Sequence, residues 1–309
     1  MAQGEPPKYL VVNADESEPG NFKDRFLLEH HPFLVLEGAL LAALAVGASR
    51  VYLYVREEFE AAIEGLERAI GELKESGLLP VPTEVFRSGG LYICGEETAL
   101  LESMEGRRAE PRLKPPFPVE RGLWGRPTLV QNVETLANLP LILKEGPEAW
   151  RREEPKLFSL SGEVAEPGLY ELPLGTPLGE ALRRAGGEPM ALKAVLLGGA
   201  AGVFTRGLGL PLALWGKASP GGGGGGGLWE GGGPLGGPPG PRPVLPGGVL
   251  RQVLPLPLGH GGAGGDGKAQ GAEPRAFGGP RPHLKGSLCG LGQSAYWAYQ
   301  SLLEVEGAA

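Results

Sequence analysis

Two short stretches of the 309-residue chain carry most of the groups that can do chemistry. Asn13-Ala14-Asp15-Glu16-Ser17-Glu18 sets one amide and three carboxylates side by side, and Tyr92-Ile93-Cys94-Gly95-Glu96-Glu97-Thr98 sets a phenol beside a carboxylate pair. Oxygens so placed accept hydrogen bonds from the hydroxyls and ring N–H groups of a nucleotide-like cofactor. Gly89-Gly90, ahead of the second stretch, permits close backbone approach to a ligand, and the amides of a helix start favour phosphate. The same residues also read as a polar loop with helix-capping acids and as a helix start whose acids complement the dipole. Composition leaves both readings open.

The elements that must position these stretches are legible from the apolar pattern. Tyr9-Leu10-Val11-Val12 is a continuous apolar run closed by polar residues up to Pro19-Gly20, the pattern of a buried strand that ends in a functional loop. The spacing then predicts a helix from about Pro32 through Leu34-Val35-Leu36 and Ala39-Leu40-Leu41 to Gly47. Val51-Tyr52-Leu53-Tyr54-Val55 is a second strand, and Phe59, Ala62, Ile63, Leu66, Ala69, Ile70 and Leu73 recur at helical spacing. A third strand lies near 83–86, and a helix follows the Glu96-Glu97 pair over 99–104. The order β-α-β-α-β implies an α/β fold, a parallel doubly wound sheet that gathers ligands beyond the carboxyl ends of its strands. From about 156 to 204 the texture changes. Strands at 157–164, 167–170 and 194–197 with a helix at 177–185 indicate a small α+β domain.

Charge and composition exclude several classes. A net charge of -7 with no Lys/Arg run argues against nucleic acid. Two cysteines far apart, Cys94 and Cys289, offer no disulfide framework and favour a reducing compartment. The longest apolar stretch, 38–48, falls short of the roughly 18–20 residues a bilayer span needs, and no signal peptide is expected. His30 and His31 are expected to be capping or surface residues, and Cys94 a small buried apolar residue.

Over about 140 residues the exact strings resemble one family. Asn13 to Gly20 with Phe22-Lys23-Asp24-Arg25, Tyr92 to Leu100 with Glu105-Gly106, Lys114-Pro115-Pro116-Phe117-Pro118, and Pro127-Thr128 with Asn132-Val133-Glu134-Thr135-Leu136 look like the NADH-oxidising, flavin-binding subunit of respiratory complex I. Related subunits of NAD-linked hydrogenases and formate dehydrogenases share these motifs. The resemblance implies an FMN/NADH-binding α/β domain over 1–150 and a β-grasp, soluble-ligand-binding domain over 151–204. It implies that Asn13, Asp15, Glu16, Tyr92, Gly95, Glu96, Glu97, Asn132 and Thr135 surround FMN and NAD(H), with Gln131 standing where the family has asparagine. Ser287 to Gln293 resembles the segment whose Cys289 supplies the last ligand of a [4Fe–4S] cluster, so that 285–309 is the remnant of a helical iron–sulfur domain. The implied activity is hydride transfer from NADH to FMN, then single electrons to the cluster, feeding quinone reduction. Implied partners are a thioredoxin-like [2Fe–2S] subunit and the large iron–sulfur subunit of a peripheral arm. The chain is then cytoplasmic, held at the inner face of the cell membrane by those partners, with no direct insertion.

Two family parts have no counterpart in these residues. The glycine-rich phosphate loop expected before the first strand is missing from Met1 to Lys8, so the chain is read as starting late. The cluster's C-x2-C-x2-C run is missing too. Residues 205–284 instead hold 27 of the 54 glycines and 13 of the 31 prolines, with only Glu230, Asp266 and Glu273 as acids. Back-translated and moved one base forward, Gly248 to Leu258 permits E-S-C-G-[KR]-C-S-P-C-R, the cluster motif itself. The segment is therefore read as out of frame and unstructured, the other reading being a genuine Gly/Pro-rich linker. On this basis FMN retention is expected to be weak or absent, and the cluster is expected not to assemble. A non-catalytic scaffold is the alternative.

Overall fold

A computed structural model describes residues 4–199, 202–206, 252–257 and 301. The first domain alternates β1 (Tyr9–Ala14), α1 (Lys23–His30), α2 (Pro32–Val46), β2 (Arg50–Arg56), α3 (Glu60–Glu75), β3 (Thr83–Ser88), α4 (Glu97–Met104), α5 (Pro118–Arg121), β4 (Thr128–Asn132), α6 (Val133–Glu145) and α7 (Pro147–Glu153). Its four strands are all parallel, in the order β3-β2-β1-β4. The sequence predicted this α/β sheet and the spans of α2, β2, α3 and β3; Gly47 closes α2 in the left-handed conformation (φ 68°) that glycine adopts without a Cβ penalty. It did not predict α1, which begins at Lys23.

Both faces of the sheet are covered, which is why β1 reads as an unbroken apolar run. Leu10, Val12, Val51 and Leu53 pack against the Leu28, Leu36, Ile63 and Leu136 side chains of α1, α2, α3 and α6. Val11, Tyr52, Tyr54 and Val130 face the other way, onto Cys94, Leu100, Leu101 and Leu123. The expected burial of Cys94 is observed, and burial pushes its thiol pKa up. Helix α2 crosses α6 at Gly38, where a Cβ would stand 1.9 Å from the Leu136 carbonyl oxygen. Only glycine permits that approach, and it sets the height of α6 over the sheet. Among the described residues no single helix is long and apolar enough to cross a membrane.

The second domain is a five-stranded sheet in the order β6-β5-β9-β7-β8, built from β5 (Pro155–Leu160), β6 (Gly168–Pro173), β7 (Leu192–Leu197), β8 (Val203–Thr205) and β9 (Gln252–Pro257), with α8 (Leu178–Arg184) packed on it. Phe158, Leu160, Leu172, Leu178, Leu182, Val195 and Leu197 form its core. The β5–β9 pair is parallel and the other pairs antiparallel, a mixed sheet under one helix.

Six residues of the segment expected to be unstructured thus form β9. Its pairing with β5 is confined to Gln252 and Val253, and pairing with β7 continues past Pro255 to Pro257. Proline, with no N–H to donate, therefore sits where the strand has one partner rather than two. The rest of 205–284, the expected remnant at 285–309 and Cys289 lie outside the described residues, Ser301 excepted.

Candidate functional site

The strand order reverses direction between β1 and β4: β2 and β3 lie to one side of β1, β4 to the other. Loops leaving the carboxyl ends of such a pair diverge and open a crevice. Asn13 and Asn132 are register partners at that mouth. The Asn13 amide donates to the Gly95 carbonyl oxygen at 3.0 Å, tying the two acidic stretches together, and its own oxygen accepts from the Asp15 N–H at 3.2 Å. Asp15 is buried; its carboxylate accepts from the Ser17 and Ser88 hydroxyls at 2.5 and 3.1 Å and faces Arg56 at 3.4 Å. Burial raises its pKa against those partners.

Glu16 turns the other way, inward. Its carboxylate accepts from the Asp24 and Arg25 N–H groups at 3.0 to 3.1 Å, and so caps α1, whose own N-cap residue Phe22 has no side chain able to. Beside it Lys23, 2% exposed, meets Asp24 at 2.6 Å, Glu134 at 3.3 Å and the Asn132 amide oxygen at 3.1 Å. The Asn132 N–H donates back to Asp24 at 2.7 Å. Two carboxylates thus contact one buried ammonium, and the nearby Glu16 feels its charge. Burial, then the neighbouring Asp24, raises the Glu16 pKa to about 7. Burial on its own would lower Lys23, but Asp24, Glu134 and Glu16 more than offset it and hold it above its ordinary value.

The second stretch folds as a tight turn over Tyr92–Gly95 and then α4. Glu96 is the N-cap of α4, accepting from the Thr98 and Ala99 N–H groups at 2.9 and 2.8 Å. Lys114 bridges Glu96 at 3.2 Å and Glu97 at 2.6 Å. Tyr92, 41% exposed, donates its hydroxyl to Glu18 at 2.6 Å. Burial of its ring, then the Glu18 bond, pushes the phenol pKa up, so it stays a donor.

Eight of the nine residues picked from the sequence around the cofactor therefore enter these contacts; Thr135 stands half-buried on the first turn of α6, and its side chain enters none of them. Lys23, Asp24, Arg56, Ser88 and Lys114 were given no role there. Adjacent Lys and Asp spell a solvated surface, and nothing in the order of residues marks Lys23 as buried. Lys114 was within reach as the only lysine of the Lys-Pro-Pro-Phe-Pro string.

The donor set fits a flavin mononucleotide. Its walls are carboxylate and amide oxygens suited to ribityl hydroxyls and ring N–H groups, with the Lys114 ammonium beside them. A Cβ at Gly89 would meet nothing within 4 Å, and one at Gly95 only the Asp15 carbonyl oxygen at 3.6 Å. Neither glycine has positive φ, so what each contributes is the missing side chain and not a left-handed backbone. The buried Gln131 side-chain oxygen, one residue before Asn132, has no partner among the described residues and can accept from a ligand N–H. No group of three or more His, Cys, Asp or Glu among the described residues is arranged to hold a metal ion.

Comparison with known proteins reaches the same region. Residues 1–141 match the Nuo51 FMN-binding domain, and residues 157–194 match the SLBB domain. The chain is 47% identical over 204 residues to an NADH-quinone oxidoreductase subunit of Aquifex aeolicus (strain VF5), covering 61% of this chain and 48% of that protein. It is 48% identical over 202 residues to the counterpart in Escherichia coli (strain K12), covering 60% and 45%. It spans about half the length of these relatives. Among solved structures, an NAD+-reducing [NiFe]-hydrogenase in the air-oxidized state superposes with a TM-score of 0.64 at 41% identity, over 68% of this chain and 38% of that one.

Proposed function

We propose that the chain is the nucleotide-handling part of an NADH dehydrogenase subunit, a reading supported by the match of residues 1–141 to the Nuo51 FMN-binding domain and of residues 157–194 to the SLBB domain. It passes a hydride from NADH to FMN and then single electrons to a [4Fe–4S] cluster, feeding quinone reduction. The flavin supplies this two-electron to one-electron conversion, and the protein binds and orients. In this reading Asn13, Asp15, Glu16, Tyr92, Gly95, Glu96, Glu97, Asn132 and Thr135 surround FMN, and Glu97 also faces NADH. Glu16 and Asn132 act by holding backbone, since both are committed to α1, Lys23 and α6. Glu97 and Tyr92 keep exposed atoms for a ligand.

The observation that carries the reading is the meeting of the two acidic stretches, through Asn13 and Gly95, at the strand ends where the sheet order reverses. Cys289 is the one cluster ligand assigned here, and four thiolates hold such a cluster, so this chain alone is read as impaired in the second electron step. Its partners are then a thioredoxin-like [2Fe–2S] subunit and a large iron–sulfur subunit, at the cytoplasmic face of the membrane. The likeness to the hydrogenase favours, as a second reading, the equivalent subunit of an NAD-linked hydrogenase.

Titration with FMN followed by flavin fluorescence, then NADH:ferricyanide reduction, tests the proposal. Saturable quenching and NADH-dependent reduction are expected. A protein that leaves FMN fluorescence untouched and ignores NADH is a scaffold, and the proposal fails.

A further inference from the structure

The second domain meets the first at the scaffolding of the acidic loop. The hydroxyl of Ser159, fully buried on β5, donates to the Asn21 amide oxygen at 3.0 Å and accepts from the Phe22 N–H at 3.3 Å. Phe22 is the N-cap of α1 and supplies no side-chain cap of its own. The start of α1 is therefore held from two remote places, by Glu16 on the Asp24 and Arg25 amides and by a serine of the other domain on the Phe22 amide. Two residues before Ser159, the Leu157 N–H donates to Glu134 at 3.1 Å, and Glu134 carries Lys23 on its other oxygen. Beyond β7, Gly199 lies against the loop so closely that a Cβ there would stand 1.9 Å from the Glu18 carboxylate oxygen, and its φ of +68° also excludes larger residues. These attachments fall on Glu18, Asn21, Phe22 and Glu134, the frame of the loop that carries Asp15 and Glu16.

We propose that the SLBB domain is a positioning element of the nucleotide site, acting through Ser159, which locks the Glu18–Phe22 end of the acidic loop onto β5. The loop is a twelve-residue excursion from Asn13 to Asp24, tied at its start by Asn13 and Asp15, in its middle by Glu18 to Tyr92 and at its end by Glu16 to the Asp24 and Arg25 amides, while Asn21 and Phe22 are held from outside by Ser159. Without Ser159, the Phe22 N–H loses its acceptor and Asn21 loses its donor, so the Asn21–Phe22 segment loosens while the parts held by Asn13, Asp15 and Glu16 stay anchored. This rests on the functional reading only for what the loop binds.

Hydrogen exchange on the full chain, with and without Ser159→Ala, separates the two ends of the loop. The Phe22 amide is expected to exchange about tenfold faster in the variant, the equivalent of one lost hydrogen bond, with a smaller acceleration at the Glu16-held amides of Asp24 and Arg25 and with β1, β6 and α8 unchanged. Asn21→Ala, which leaves β5 intact, is expected to give a smaller acceleration at the same amides. The double variant is expected to add little, because the two residues share one contact. FMN affinity is expected to fall about tenfold in Ser159→Ala, alongside the faster exchange. Unchanged loop exchange in both variants overturns the proposal, as does a loosened loop that binds FMN as tightly as before. If the unsubstituted chain binds no FMN, the functional reading fails, and the exchange data still decide whether Ser159 locks the loop.

Discussion

Glu16 and Glu97 are both glutamates beside a helix start at the mouth of one sheet, yet they are held in opposite ways. Glu16 is buried, spends both oxygens on the amides of α1 and lies near the buried ammonium that Asp24 and Glu134 contact. Glu97 keeps 29% of its side chain exposed and has a single bond, to a Lys114 that it shares with Glu96. The difference teaches that carboxylates of similar sequence context divide the labour of a site. One set is consumed in building the loop, and the other retains capacity for a ligand. Burial decides which is which, since a desolvated charge must satisfy itself internally while a wet one can exchange partners at little cost.

Removing the two lysines breaks or sharpens this contrast most directly. Lys23→Met leaves Glu16, Asp24 and Glu134 with no buried cation. It is expected to destabilise the first domain by about 3–5 kcal/mol, read by urea denaturation. A loss below about 1 kcal/mol would mean that the cluster is wet and the contrast false.

A subtler effect comes from the proton on Glu16. Its folded pKa, about 7, lies above the ordinary carboxylate value of 4.5. The folded state therefore binds the proton more tightly, and the stabilisation is full below pH 4.5 and is lost as pH rises through 7. Stability of the first domain is expected to fall over that window by an amount of order 3 kcal/mol. Glu16→Gln, which still accepts from the α1 amides, is expected to flatten the slope. An unaltered pH profile in the variant would assign the titration elsewhere.

The smallest effect on stability is expected at the other turn. Lys114→Ala removes a partly exposed ion pair and is expected to cost about 0–1 kcal/mol. It is expected to weaken NADH or FMN binding more than it lowers the melting temperature, because Glu96 and Glu97 then repel anionic phosphates with no cation between them. Equal losses from Lys23→Met and Lys114→Ala in both readouts would erase the distinction between the two turns.

The parallel sheet was legible because β1 and β2 are apolar on both faces and α3 repeats every three to four residues, patterns that burial imposes on sequence directly. Most of the site was legible because Asn13, Glu96 and Asn132 cap or bridge locally, within a strand end or a first turn. Helix α1 was not. Lys23-Asp24-Arg25 has the texture of a solvated turn, and its N-terminus is satisfied by Glu16 and by Ser159, which is 137 residues away from Phe22. The strand Gln252–Pro257 was equally hidden, since its prolines conflict with a central strand until one sees that pairing with β5 stops at Val253.

The order of residues by itself determined the layers of the first domain and the chemistry of its two acidic turns, because periodic burial and short-range capping are written in neighbouring positions. Which acids became scaffolding and which stayed open, and the docking of the second domain onto the loop that joins them, were decided only by tertiary structure. Desolvation and long-range hydrogen bonds depend on what the fold brings alongside, and no local pattern encodes that.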